Sequence, residues 1–299
     1  MGQTVSASDP GFLERLRRTL DMIKFEHSLF AMPFAMIGAM LAWRQLAFQV
    51  DAPGYRLFFI LLAMVTARSA AMTFNRILDA AIDLKNPRTA MRHIPAGLLS
   101  RSFAWGFLIS SAAGFVFAST MLGPLCMALS PVALGLVLFY SYTKRFTSLA
   151  HLVLGACLGI APSAAWIAVT GSLDWRIGLL SVAVLFWTAG FDIIYACQDY
   201  EFDRLEGLFS IPAKIGIVRA LLLSRLFHVL TVAALVGLSV VFSLSIWPVL
   251  PVVALLFYEH SLVRADDLSK VNLAFFTVNG LIGFAYFAGM AIEVFRDVQ

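Results

Sequence analysis

Apolar residues run in long blocks along this chain, separated by short clusters of charge, proline and glycine. A helix needs about 20 apolar residues to cross roughly 30 Å of hydrocarbon. Nine blocks have that character: 25–43, 57–75, 103–122, 124–142, 149–169, 177–196, 226–242, 246–260 and 271–292. The pattern predicts an all-α integral membrane protein with nine transmembrane helices. Arg219, Arg225 and His228 crowd the start of the seventh block, and Pro248 and Pro251 interrupt the eighth. Neither proline excludes a membrane helix, because neighbouring helices can satisfy the freed carbonyls. Two connections, about 76–101 and 198–218, are much longer than the rest, and long ordered loops often carry function. Residues 1–24 read as a polar tail and 25–299 as one domain, with no linker or low-complexity tract between them.

Composition agrees with a bilayer as the solvent. Hydrophobic residues make up 60% of the 299 positions and charged residues 13%, and mean hydropathy is +0.85. A water-soluble globule could not hide that much apolar surface. The net charge of +4 would suit nucleic acid in a soluble protein, but in a membrane protein basic residues collect in cytoplasmic loops. Here 17 of the 22 Lys and Arg fall on one side of the nine-span arrangement. The positive-inside rule makes that side cytoplasmic, with the N-terminus inside and the C-terminus outside. No nucleic-acid partner and no obligatory protein partner are expected. Cys126, Cys157 and Cys197 form no CxxC pair and lie in apolar blocks, so they read as small core residues. The five histidines have no HxxxH spacing, and His27 and His260, each following a Glu, are expected to hydrogen-bond near the membrane surface.

The chemistry concentrates at two block ends. Arg68, Asn75, Asp79 and Asp83 are separated by seven, four and four residues, which places them on one helix face. Asp192, Asp199 and Asp203 repeat the seven and four spacing. Four crossings lie between the two ends, an even number, so both emerge on the same face. One such acid pair would pass for a solvated helix end. Two copies with polar residues upstream inside the membrane point to a site. Oxygen-only ligands suit Mg2+, which takes one or two carboxylates together with water and phosphate oxygens. The flanking cations Lys85, Arg88, Arg92, Lys144, Arg204 and Lys214 could hold a diphosphate directly. Arg68 and Asp192, both inside the span, need a partner or a water-filled cavity. They either pair with each other or line the substrate cavity.

These residues resemble the UbiA superfamily of intramembrane aromatic prenyltransferases. Asn75–Asp79–Asp83 is similar to its NxxxDxxxD motif, and Asp199–Asp203 to its second DxxxD motif. NPRTAMRHIPAG (86–97) and DRLEGLFSIPAKIG (203–216) stand where that family has its cytoplasmic cap. Further similarity runs through FEHSLFAMPFA (25–35), YSYTKRFT (140–147), APSAAWIAVTG (161–171) and YEHSLVRADDLSKVN (258–272), so it covers nearly the whole chain.

The wording YACQDYEFD…GLFSIPAKIG looks most like the 4-hydroxybenzoate polyprenyltransferase branch, and nearly as much like the enzymes that prenylate a dihydroxynaphthoate-type acceptor in the futalosine menaquinone route. The resemblance implies nine helices around a central cavity with a cytoplasmic cap. It also implies Mg2+ held by Asn75, Asp79, Asp83, Asp199 and Asp203, and transfer of a polyprenyl group from polyprenyl diphosphate to a ring carbon of an aromatic acid in quinone biosynthesis. Tyr140, Tyr142 and Tyr195 are candidate cavity aromatics. An arginine not consumed by diphosphate would hold the acceptor's carboxylate, with Arg68 the most deeply placed. The rival from another class is a cation-coupled transporter, which predicts charges near the membrane midplane and repeats inverted across it; a structural subunit has no need for duplicated acids.

Overall fold

In the computed structural model, which describes residues 12–23 and 30–296, the chain folds into helices joined mostly by short turns. They are α1 (Phe12–Ile23), α2 (Met32–Gln45), α3 (Pro53–Lys85), α4 (Arg101–Leu122), α5 (Pro124–Thr143), α6 (Ala150–Thr170), α7 (Gly178–Ala196), α8 (Tyr200–Leu205), α9 (Ile211–Ile215), α10 (Ile217–Val241), α11 (Val249–Leu262) and α12 (Asn279–Arg296). A 3₁₀ turn, Cys197–Asp199, joins α7 to α8, and a π turn, Leu273–Val278, leads into α12. Among the described residues no strand forms beyond a single bridge between Arg264 and Asp267.

Seven helical runs are long and apolar enough to cross a membrane, and α11 is a shorter apolar helix of 14 residues. The outer faces carry Phe58, Ile109, Val132, Val240 and Phe257 into the surroundings, as side chains facing lipid would. Inside, Trp166, Trp187 and Tyr286 are fully buried, and Phe34 and Phe191 each pack on Trp187 with ring centroids 4.9 Å away. Small residues set the closest approaches. A Cβ on Gly155 would lie 2.3 Å from the Leu185 carbonyl oxygen, and one on Gly159 2.7 Å from that of Ser181, so α6 and α7 meet backbone to backbone. This spacing of small residues is how helices associate where no hydrophobic force separates protein from lipid.

The two long connections differ from the sequence expectation. Helix α3 does not stop near Asn75; it continues to Lys85, and the first connection shrinks to 86–100. Charge ended the apolar block but not the helix, because Arg76, Asp79 and Asp83 are buried against protein rather than lipid. The second connection is largely helical, with α8 and α9 inside it, and α10 begins at Ile217, nine residues before the predicted span. At 33 residues α3 is about 50 Å long, and the run Trp175–Leu205 has 31 residues. Both exceed the thickness of hydrocarbon, so their acidic ends project past the apolar belt.

Part of the expected polar tail is helix α1. Its Met22 and Ile23 are buried with Ile77 and Ala80 of α3, the Met22 carbonyl accepts from Arg76 Nε at 3.3 Å, and Arg18 donates to the Leu98 carbonyl in the first connection. His27 and Lys24, and the start of the first predicted span, lie outside the described residues.

Candidate active site

The ends of α3 and α7 meet the α5–α6 turn and the segment before α9 around a cavity of about 200 Å³. Eleven of the residues marked out by sequence line it: Asn75, Asp79, Asp83, Arg88, Arg92, Tyr140, Lys144, Asp192, Tyr195, Asp199 and Asp203. Asn75, Asp79 and Asp83 come from one face of α3, Asp192 and Tyr195 from α7, and Asp199 and Asp203 from the 3₁₀ turn and α8 that follow it. The cavity is small for a ligand pocket, typically ~300–1,000 Å³, because basic side chains reach across it.

Each of three carboxylates is met by a cation. Asp79, 2% exposed, accepts from Lys144 Nζ at 2.5 Å, Arg145 Nη2 at 2.9 Å and Asn75 Nδ2 at 3.0 Å. Asp83 accepts from Arg92 Nη1 at 2.7 Å through Oδ1, while its buried Oδ2 has no hydrogen-bond partner. Asp199 takes both Nε and Nη2 of Arg88, at 3.0 and 2.5 Å, and the same guanidinium donates to the Tyr195 hydroxyl at 2.9 Å. Burial by itself would lower the pKa of Arg88, but the hydrogen bonds and charge of Asp199, with Tyr195 adding to them, outweigh it and hold the group above its ordinary value. Arg88 thus ties the first connection to α7, and Phe209 N–H, donating to the Lys144 carbonyl at 2.8 Å, ties the second to the α5–α6 turn.

Four marked charged residues lie outside the lining. Lys85 is paired with Glu206 at 2.6 Å on the exposed surface, Arg204 donates to Tyr200, and Lys214 is exposed on α9. Arg68 sits two turns before Asn75 on α3. Asp192, offered as a partner for Arg68, meets His151 instead, Oδ2 to Nδ1 at 2.7 Å. Of the candidate aromatics, Tyr140 and Tyr195 line the cavity, whereas Tyr142 packs edge-on against Phe74 and is 42% exposed. Phe275 of the π turn lies on Tyr195, centroids 4.2 Å apart.

Sequence reasoning missed His151, Arg145 and Asn86. Arg145 follows Lys144 directly, but only the fold shows which of two adjacent cations reaches Asp79, and both do. Asn86 donates to Asp199 at 3.2 Å. His151 stood alone in an apolar block with nothing in its spacing to mark it. His260 pairs with His228 at 2.9 Å, beside Glu259, Asn279 and Trp187 in a polar cluster of its own within the bundle.

Among the described residues no three carboxylate, histidine or cysteine side chains converge as a ready ligand set for one metal ion. The donors nevertheless suit Mg2+. They are all oxygens, they come in two pairs across one cavity, and a buried carboxylate oxygen of Asp83 has no hydrogen-bond partner. Charge gives the same answer. The lining carries five carboxylates and three cations, Arg88, Arg92 and Lys144, so a diphosphate would add charge to an already negative lining unless divalent ions came with it.

Comparison with known proteins places this architecture. The sequence profile of the UbiA prenyltransferase family matches residues 31–281. The chain belongs to that family. Two relatives named 4-hydroxybenzoate octaprenyltransferase are each 31% identical: one from Vibrio atlanticus over 240 residues, 79% of this chain and 84% of the relative, and one from Citrobacter koseri over 266 residues, 86% and 91%. The apo structure of a UbiA homolog from Aeropyrum pernix K1 superposes with a TM-score of 0.80 at 30% identity, covering 89% of this chain and 98% of that one. A UbiA homolog from Archaeoglobus fulgidus bound to DMAPP and Mg2+ shares the fold, with a TM-score of 0.67 at 20% identity over 92% and 99%. As a UbiA family member with seven long apolar helical runs, the protein is an integral, multi-pass membrane transferase.

Proposed function

We propose that this UbiA family member transfers a polyprenyl group from polyprenyl diphosphate to a ring carbon of 4-hydroxybenzoate, releasing pyrophosphate, in ubiquinone-type quinone biosynthesis. The observation that carries this is the convergence of two DxxxD helix ends and three cations on one cavity, with Arg145 reaching Asp79 as well. The names of the relatives support the benzoate acceptor over the naphthoate.

In this reading Asn75, Asp79, Asp83, Asp199 and Asp203 hold Mg2+, which when bound supplies Lewis-acid charge for the departing pyrophosphate. The oxygen donor set supports that, and the Mg2+-bound Archaeoglobus fulgidus homolog has the same fold. Arg88, Arg92, Lys144 and Arg145 are each about a third exposed, free enough to turn from carboxylate to phosphate oxygens, the arginines in bidentate fashion. Tyr140 and Tyr195, the latter backed by Phe275, give the allylic carbon aromatic faces and keep water away.

The basic face orients the protein with its N-terminus and cavity in the cytoplasm. Segments 86–100 and 206–210 form the cap over a single domain, and α2 and α11 complete a nine-helix arrangement with the seven long runs.

The test uses purified protein, one polyprenyl diphosphate, and equal concentrations of 4-hydroxybenzoate and a dihydroxynaphthoate, with products identified by mass. Prenylated benzoate and pyrophosphate are expected, both lost with chelator and restored by Mg2+. Exclusive prenylation of the naphthoate overturns the acceptor, and chelator-insensitive turnover overturns the metal.

A further inference from the structure

One acid and one histidine in the cavity are not explained by the two DxxxD pairs. Asp192 lies on α7, four residues before its end and seven before Asp199 of the following 3₁₀ turn, on the order of 10 Å of helical rise deeper in the bundle. Asp79, Asp83 and Asp199 each carry a Lys or Arg; among the described residues Asp192 carries none. Its Oδ2 is held by Nδ1 of His151, buried in α6 at 4% exposure. The other ring nitrogen of His151, Nε2, accepts from the backbone N–H of Ile211 at 3.3 Å. A neutral imidazole has one N–H. With Nε2 accepting, that hydrogen is on Nδ1 and points at Asp192.

Two consequences follow for reactivity. A carboxylate clamped by a guanidinium or an ammonium is a weak base, since the cation favours its charged form. Asp192, a lining residue of the cavity, is held by a neutral donor instead, and its Oδ1 has no hydrogen-bond donor among the described residues. The His151 bond also depends on the start of α9 being seated, because Ile211 fixes the tautomer. Asp192 therefore faces the cavity as an oriented base at a depth separate from the diphosphate-binding ends of the helices.

Taking the prenyl-transfer reading above as given, we infer that Asp192 is the catalytic residue that removes the ring proton, and that His151 is its positioning residue. In the first step a π pair of the ring bonds to the allylic carbon while the carbon–oxygen bond breaks, its electron pair leaving with pyrophosphate. The substituted ring carbon then bears both a hydrogen and the prenyl group, and the ring is cationic. Asp192 Oδ1 takes that hydrogen as a proton, and the C–H pair restores the aromatic ring. The carboxyl, now neutral, returns the proton to the departing pyrophosphate or to water.

An isotope effect separates this role from a structural one. 4-Hydroxybenzoate deuterated at the ring carbons beside the hydroxyl is compared with the unlabelled acid. The unmodified protein should show an effect near unity, because proton loss follows a slower bond-forming step. Asp192→Asn should turn over about 10²–10⁴-fold more slowly with a clear primary isotope effect, since proton loss becomes limiting. His151→Leu should show the same signature with a smaller rate loss, and His151→Asn, which keeps a donor where Nδ1 stands, should recover most of it. His151→Leu carries the test alone if Asp192→Asn does not fold.

Slow turnover without an isotope effect, or unchanged turnover, overturns the role of Asp192, and no recovery in His151→Asn relative to His151→Leu overturns the positioning role. If the unmodified protein prenylates no aromatic acid, the function itself has failed, and that result is distinct from either.

Discussion

Replacing Asp79 with Asn removes one charge while keeping the shape of the side chain. Asp79 is 2% exposed and accepts from Lys144, Arg145 and Asn75. The amide keeps one acceptor oxygen and places an NH2 against a cation whichever way it turns. Breaking a buried ion pair costs about 3–5 kcal/mol. Lys144 and Arg145 are 31% and 29% exposed, however, and can regain water, which reduces the expected stability loss to about 1–2 kcal/mol. The effect on catalysis should be larger. Loss of one charged ligand beside the leaving group is comparable to loss of a transition-state donor, a fall in kcat of about 10²–10³-fold.

The assay pairs pyrophosphate release at saturating Mg2+ and polyprenyl diphosphate with a thermal melt in the same detergent. A small drop in melting temperature with a large drop in kcat is expected. A kcat within a factor of a few of the unmodified chain would refute the metal assignment, and a collapse of the fold would show that Asp79 is chiefly structural.

Lys85→Ala should leave KM for polyprenyl diphosphate nearly unchanged, because its ammonium sits on Glu206 at an exposed surface pair worth about 0–1 kcal/mol, whereas Lys144→Ala should raise KM severalfold in the same titration. Gly155→Ala should destabilise by about 1–3 kcal/mol, because the new Cβ would meet the Leu185 carbonyl oxygen at 2.3 Å and backbone cannot move aside; an unchanged melt in detergent would contradict the close α6–α7 contact.

The hydrophobic pattern was enough to determine that this chain lives in a bilayer, because 60% apolar residues leave no other solvent, and the spacing of four determined that Asn75, Asp79 and Asp83 share a helix face, whereas the matching Asp192, Asp199 and Asp203 are spread over α7, the 3₁₀ turn and α8. Helical periodicity is local, so it can be read from order alone. Helix ends were less legible. Charge at Arg76 and Asp79 looked like the end of α3, yet the helix runs on to Lys85 because those charges are buried in protein contacts that hydropathy does not register.

Which cations belong to the cavity was a tertiary decision. Lys85 and Lys144 are equally basic in the sequence, but Lys85 lies beside Glu206, 121 residues away, and Lys144 on Asp79, 65 residues back. His151 carried no signal at all. It became a site residue only when α6 packed beside α7 and the start of α9 met it, bringing Asp192 to one ring nitrogen and the Ile211 N–H to the other. Charge and spacing along the chain name the groups available for chemistry; the partners that set each group's protonation and orientation are distant in sequence, so only the packed bundle assigns them.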